Sequence, residues 1–339
     1  MLRWLFILGW LLIANGTTSA QTTKFRNLVF EGGGIKGIAY GGALQAMSER
    51  GLLDSVQRVG GTSVGAITAV LLAVGYSPKE IIETVSRLSI KQFNDGSGFF
   101  VGGSRRLVKN FGWYRGERFT QWLQSCLKAK TGLPNLTFAQ LHAYAGAGGF
   151  RDLYVTGTNL TQQRTEVFSH ETYPQMRVVD AVRISMSIPF YFRAVFLDST
   201  AQVVQKVRPG QRINVFVDGG VAANFPLFLF DSTKYILPHQ SPNRFYDNPE
   251  TLGFRLVRSE QLNSPNEPAP YRIDSFGSYV GAFYNMVISG LNLTKPSQYR
   301  RVVSINSLNF SPKIKHIPLV QKLKLIKSGQ DAVEQFFSH

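Results

Sequence analysis

The segment that most constrains this chain is Gly61-Thr62-Ser63-Val64-Gly65. A short apolar run, Val56 to Val59, precedes it. A helical pattern of small apolar residues, Ala66 to Val74, follows. A G-x-S-x-G between a strand and a helix forces a sharp turn, and the serine at its apex has its hydroxyl lifted clear of the backbone. A side chain at either flanking position would crowd that turn. The motif is weak in isolation; here the elements on both sides are those the turn requires.

A second glycine cluster, Gly32-Gly33-Gly34-Ile35-Lys36-Gly37, follows the strand-like Asn27-Leu28-Val29-Phe30 and opens a helical pattern from Ile38 through Met47. Amides in such a loop lack intrahelical partners. They are placed to hold the negative oxygen that forms when Ser63 attacks an acyl carbon. The same loop satisfies G-x-G-x-x-G through Gly32, Gly34 and Gly37, so a dinucleotide reading competes. That reading needs a carboxylate at the end of the second strand, about twenty residues on. Asp54 has the spacing but precedes the strand. A third piece is Asn214-Val215-Phe216-Val217-Asp218-Gly219-Gly220, an apolar strand ending in a carboxylate and two glycines. Asp218 is the candidate base for the serine proton, although Asp-Gly is also an ordinary turn.

In order along the chain, these pieces resemble the patatin-like phospholipase family, from about Asn27 to about Asp231. The resemblance is carried by the Gly32–Gly37 loop, by Gly61–Gly65, and by Asp218-Gly219-Gly220 with Asn224-Phe225-Pro226. Ala181-Val182-Arg183-Ile184-Ser185-Met186-Ser187-Ile188-Pro189 also looks like the family's helix before the aspartate strand. The resemblance implies an α/β fold, a three-layer sandwich whose mainly parallel central sheet is flanked by helices. It implies a serine lipid acyl hydrolase of phospholipase A or lysophospholipase type, working through a Ser–Asp dyad and an acyl-enzyme. Ser63 is then the nucleophile and Asp218 the base. The oxyanion hole falls on Gly32, Gly33 and Gly34 with the basic residue Lys36. No cofactor or metal is expected, and no zinc or calcium spacing occurs in the sequence.

Three other readings stay open. A Ser63–Asp218–His239 triad has the chain order of an α/β-hydrolase, while His142, His170, His316 and His339 read as scattered, without partners. A lipid-binding or storage protein could share the fold without turnover. A nucleotide-dependent oxidoreductase would use the glycine loop instead.

The first residues read as an export signal: Arg3, an apolar run from Trp4 to Ala14, then Thr18-Ser19-Ala20. That run is shorter than the about twenty residues a spanning helix needs. The expectation is a signal peptide over 1–20, a catalytic domain over 21–245, and a C-terminal extension over 246–339 packing on it. The mature protein would be periplasmic or extracellular. Cys126 is the sole cysteine, so no intrachain disulfide forms; its helical apolar surroundings suit a small buried hydrophobe. Asn135, Asn159, Asn292 and Asn309 match the N-glycosylation pattern.

Lys and Arg total 37 against 21 Asp and Glu, a net charge of +16. Such an excess favours anionic partners. No nucleic-acid module is recognisable, so a lipid substrate and an anionic membrane surface are the expected partners. Lys313 to Lys327 mixes lysines with branched apolar residues. After Pro318 it reads as a basic amphipathic helix, lying either at a lipid interface or on the core with its lysines solvated. Phe93 to Tyr114, rich in glycine and aromatics, reads as a mobile lid or as core anchoring. Helices are expected over 78–88, 116–130, 137–144, 178–186 and 272–289. Strands are expected over 153–157, 164–168, 194–197 and 213–217.

Overall fold

A computed structural model describes residues 24–96, 99–236, 246–262, 296–309 and 317–338, with isolated positions between 270 and 286. The expected signal peptide, His239, His316, His339, Asn292 and most of the expected 272–289 helix lie outside the described residues. The described strands are β1 (Asn27–Phe30), β2 (Arg58–Gly61), β3 (Gly112–Tyr114), β4 (Asp152–Asn159), β5 (Arg164–Phe168), β6 (Phe190–Phe192), β7 (Val195–Leu197), β8 (Asn214–Asp218), β9 (Thr251–Val257) and β10 (Val302–Asn306). The described helices are α1 (Ile38–Glu49), α2 (Val64–Ala73), α3 (Pro78–Ser86), α4 (Phe99–Asn110), α5 (Glu117–Thr131), α6 (Phe138–Gly146), α7 (Val178–Ser185), α8 (Gly220–Ala223), α9 (Thr233–Ile236) and α10 (Leu319–Phe337).

Pairing runs β10-β9-β1-β2-β4-β8-β7, with β5 also on β4. The first five strands are mutually parallel. β8 joins β4, β7 joins β8 and β5 joins β4, each antiparallel. β3 and β6 form a separate two-stranded ribbon. This is the expected α/β fold with a mainly parallel central sheet.

Parallel strands covered on both faces read as unbroken apolar runs, and β1 is buried at all four positions. Leu28 and Phe30 enter one core with Phe254, Val303 and Ile305. Val29 faces the opposite side, with Tyr154, Phe225, Leu227, Phe230 and Val302. Helices α1, α2, α7 and α10 close the first face; the 225–230 segment covers the second. On the helical side, α1 and α10 cross backbone to backbone. A Cβ on Gly42 would lie 1.9 Å from Ile326 O, and one on Gly329 would lie 2.0 Å from Ala39 O.

The described residues from 246 onward contribute two strands to the same sheet as β1. β9 pairs with β1 along the whole length of β1, Asn27 opposite Thr251 through Phe30 opposite Phe254. Arg301, just before β10, makes a buried fork to Asp231 at 2.6 and 2.7 Å and reaches Asp247 at 2.8 Å. One sheet therefore runs through both parts of the chain.

Several local expectations shift. β2 starts at Arg58 rather than Val56, because Val56 N–H closes a turn onto Leu53 O. Phe93 is buried and sets its ring on Phe119 and Trp122, at 5.2 and 5.7 Å between centroids, so this end of the 93–114 stretch is a core anchor. Cys126 is buried, as expected. Asn159 sits in β4 at 3 % exposure, which closes it to glycosylation in the folded protein.

Candidate active site

The turn at Ser63 carries measurable strain. Ser63 has φ 55° and ψ −121°, a conformation a non-glycine residue rarely adopts and one that costs about 1–3 kcal/mol. The fold enforces it by pressing the start of α2 onto the end of β1. A Cβ on Gly65 would lie 2.3 Å from Phe30 O. Ser63 caps α2, its carbonyl accepting from Ile67 N–H at 3.1 Å. Its own N–H donates to Ser185 Oγ at 2.9 Å.

Asp218 ends β8 at 1 % exposure. Its Oδ1 accepts Gly220 N–H at 2.7 Å, and its N–H donates to Ser187 O at 2.9 Å. Thus one short segment at the end of α7, Ser185 to Ser187, holds the backbones of both Ser63 and Asp218.

Strand register brings the two residues together. In β4, Asp152 N–H donates to Gln57 O beside β2, and Leu160 N–H, just past the strand, donates to Val215 O of β8. Amides an even number of residues apart in a strand point to the same side, so β2 and β8 meet end to end along one edge of β4. Gly61 lies opposite Val155, and Asp218 lies opposite Gly157. Two strand residues, about 7 Å of β4, separate those levels. The side chain between them is Thr156. Its hydroxyl lies 2.6 Å from that of Thr62, and a Cβ on Gly219 would come within 2.5 Å of it. Thr62 and Gly219, the neighbours of Ser63 and Asp218, therefore flank a single buried hydroxyl.

The glycine loop closes over this junction. The gap between Gly32 and Ser63 is one atom deep, for a Cβ on Gly32 would lie 3.4 Å from Ser63 Cβ. The expected set of oxyanion donors needs one correction. Gly32 N–H is spent on Asn224 O at 3.0 Å, while Asn224 Nδ2 donates to Gly32 O at 3.0 Å. Gly32 is a clamp and not a donor. Among the described residues no acceptor faces the amides of Gly33, Gly34 or Val64, the residue after the serine. Lys36 is half-buried on the same loop. Burial lowers its pKa, Glu31 opposes that, and Arg258 reinforces it.

Glu31 is a site residue with no sequence signal. It is buried at the last position before the loop; Oε2 accepts Leu256 N–H at 2.8 Å and Oε1 accepts Asn224 Nδ2 at 3.3 Å. Burial raises its pKa against the pull of Arg255, the Leu256 amide, Lys36 and Asn224. It ties the glycine loop to β9. Arg183 is the matching tie on the other side. It reaches the carbonyls of Gly116, Arg115 and Arg193 and the hydroxyl of Ser187. Burial first, then Arg193, pushes its pKa down to about 10.

Two of the histidines that read as scattered in the sequence, His142 and His170, meet in the fold. α6 and the end of the β4–β5 hairpin bring His142 and His170 together, their rings stacked at 3.8 Å and 4°. Both approach Asp152 Oδ1, at 2.7 and 3.6 Å. With Asp152 they are the group among the described residues that has the composition of a metal site. Their parallel rings bring both Nδ1 atoms to the same carboxylate oxygen, the arrangement of two imidazoles sharing a carboxylate. Asp152 opens β4, so this cluster lies at the opposite end of the sheet from Ser63.

Comparison with known proteins agrees with this architecture. A protein of Acanthamoeba polyphaga mimivirus is 26 % identical over 324 residues, covering 92 % of this chain and 94 % of the viral one. A probable lipid hydrolase of Invertebrate iridescent virus 6 is 24 % identical over 209 residues, 62 % of this chain and 64 % of its own. The crystal structure of VipD from Legionella pneumophila shares the fold at a TM-score of 0.55 and 19 % identity, covering 93 % of this chain and 67 % of VipD. The profile of the patatin-like phospholipases matches residues 28–231, a span that starts in β1, takes in both glycine motifs and Asp218, and stops at the carboxylate gripped by Arg301. The chain belongs to the patatin-like phospholipase family.

Proposed function

We propose that this protein hydrolyses carboxylic esters of lipids through a dyad of Ser63 and Asp218, with a phospholipid or lysophospholipid as substrate. Ser63 Oγ attacks the ester carbonyl while Asp218 takes its proton. The amides of Gly33, Gly34 and Val64 receive the oxyanion, and Lys36 adds positive charge beside it. Asp218 then returns the proton to the leaving alcohol, giving an acyl-Ser63 ester. Water, deprotonated by Asp218, attacks that ester, and Asp218 returns the proton to Ser63 Oγ as the fatty acid leaves.

The observation that carries this reading is the meeting of Thr62 and Gly219 on Thr156, which puts a strained serine and a buried carboxylate at one junction. Strain of this kind persists where a site uses it, which favours turnover over a binding or storage role. The oxidoreductase reading loses support because Asp54 sits in the turn before β2. His142 and His170, the histidines among the described residues, lie at the far end of the sheet and are no candidates for a third catalytic member, while His239 lies outside the described residues. The relative described as a probable lipid hydrolase supports the substrate class.

The test is labelling with a fluorophosphonate, followed by peptide mass spectrometry. A single adduct on Ser63 that is absent from Ser63→Ala and strongly reduced in Asp218→Asn is expected. An adduct elsewhere, or undiminished ester turnover in Ser63→Ala, would overturn the assignment.

A further inference from the structure

The outer face of α10 changes character along its length. Leu319, Val320 and Leu323 are 69 %, 64 % and 56 % exposed. Farther along the same face come Lys324, Lys327, Asp331 and Glu334, all exposed. The inner face, with Leu325, Gly329 and Val333, is buried against α1. Packing therefore does not explain three large apolar side chains in the first turn and a half. A helix whose outer face serves only for solubility carries polar residues there throughout.

The direction of α10 says where this patch points. Ser328 Oγ donates to the carbonyl of Asn306, the last residue of β10, at 2.7 Å. β10 is parallel to β9 and β1, so Asn306 lies at the same edge of the sheet as the Gly32–Gly34 loop. Farther along, Glu334 pairs with Arg50, just past the end of α1 that points away from that edge. α10 therefore runs from the catalytic edge toward the opposite one. Leu323 and Leu319 precede Ser328 by five and nine residues, about 7 and 13 Å of helix. The apolar turn thus extends past the sheet on the side of Ser63. A groove of about 600 Å³ beside it is lined by Leu308, Val320, Leu323 and Lys324.

The first turns of α10 carry Lys322, Lys324 and Lys327 before Asp331, the first acidic residue of the helix. From Lys313 to Lys327 the sequence holds five lysines and no acidic residue. Lys322 is tied to Ser86 O, and Lys327 pairs with Asp331. Lys324 stands exposed between the apolar side chains and the groove.

We propose that the first two turns of α10 dock this protein on an anionic phospholipid bilayer. Leu319, Val320 and Leu323 enter the interface, Lys324 and Lys327 meet the headgroups, and the catalytic edge faces the membrane. Apolar insertion plus attraction to anionic lipid is how an interfacial helix binds. No described helix is long and apolar enough to cross a membrane, so α10 is assigned to the surface. The proposal rests on the lipid-ester reading of the active site for its purpose, but its test does not.

The experiment is sedimentation of the full chain with vesicles of phosphatidylcholine alone or mixed with phosphatidylglycerol. It is paired with turnover of a water-soluble short-chain ester. Wild type should pellet with the anionic vesicles at low salt and release as salt rises. L319S/V320S/L323S should lose binding at least about tenfold and keep its thermal midpoint and its turnover of the soluble ester. K324E/K327E, a second variant that leaves the apolar residues in place, should lose binding and salt sensitivity together. Equal pelleting of wild type and the triple-serine variant would overturn the docking site. So would a wild-type dimer that the triple-serine variant dissolves, since a second copy would then cover the patch. Vesicle binding without soluble-ester turnover in wild type would sustain the docking site and overturn the dyad reading instead.

Discussion

The two ends of the central sheet are built on opposite principles. At the end where β1 and β2 finish, backbones touch, glycines are fixed by contact, Ser63 is held at positive φ and the carboxylate of Asp218 is shut away from water. At the other end, charges meet their opposites, Arg301 with Asp231 and Asp247 and Lys234 with Glu171, and His142 and His170 share the carboxylate of Asp152. One end stores strain and the other holds the chain together. A protein so divided should lose activity without losing stability when cut at the first end, and the reverse at the second.

The sharpest way to break that contrast is at Ser63. Ser63→Ala should lower ester turnover by at least about 10³-fold while its urea midpoint stays level. Ser63→Gly should be equally inactive and more stable, by about 1 kcal/mol, because glycine takes φ 55° without strain. Asp218→Asn keeps the shape and removes the base; a loss of at least about 10³-fold is expected there too. If the glycine variant unfolds more readily than wild type, the strain argument is wrong.

Arg301 tests the opposite end. Its guanidinium and the Asp231 carboxylate are both almost fully buried. Removing one partner leaves a charge without its counterpart, which costs about 3–5 kcal/mol. Arg301→Met should show that loss in denaturant titration, with turnover per folded molecule of a soluble ester within about twofold of wild type. A fall in turnover with stability intact would mean that the two ends are not separable.

What the sequence disclosed follows the same division. The catalytic end is legible because local geometry demands rare residues at fixed offsets. A glycine at 65 is required by Phe30 O, and the carboxylate at 218 is marked by the two glycines after it. Helices with their own start signals are also legible. α3 opens on Ser77, whose capping box with Glu80 is complete in the structure. Long-range partners leave no such mark. Asn224 clamps Gly32 across 192 positions, and Leu256 N–H reaches Glu31 across 225. β9 reads in the sequence as a short apolar stretch like many others, and only its pairing with β1 makes it a central strand. His142 and His170 seem unrelated in sequence because a helix and a hairpin end bring them together. The spent amide of Gly32 was equally hidden, since a glycine loop does not announce which of its amides the fold will use.

The smallest expected effect distinguishes a buried pair from a surface one. Glu80 accepts from Lys130 at 2.8 Å and from Ser77 N–H at 2.8 Å. The Lys130 bond first, then the Ser77 amide, lowers its pKa from 4.5 to about 2. Its side chain is 44 % exposed, so solvent screening holds the stabilisation to about 1 kcal/mol or less. The sign is fixed by linkage. A carboxylate with a depressed folded-state pKa stabilises fully above 4.5, and that share fades as pH falls toward about 2. Glu80→Gln should therefore lower the urea midpoint slightly at about pH 7, and the gap from wild type should close by more than half between about pH 5 and pH 3. A gap at Glu80 as large as that at Arg301, or one that widens on acidification, would show that exposure does not rank these charges and that the ion-paired end of the sheet is held by something other than burial.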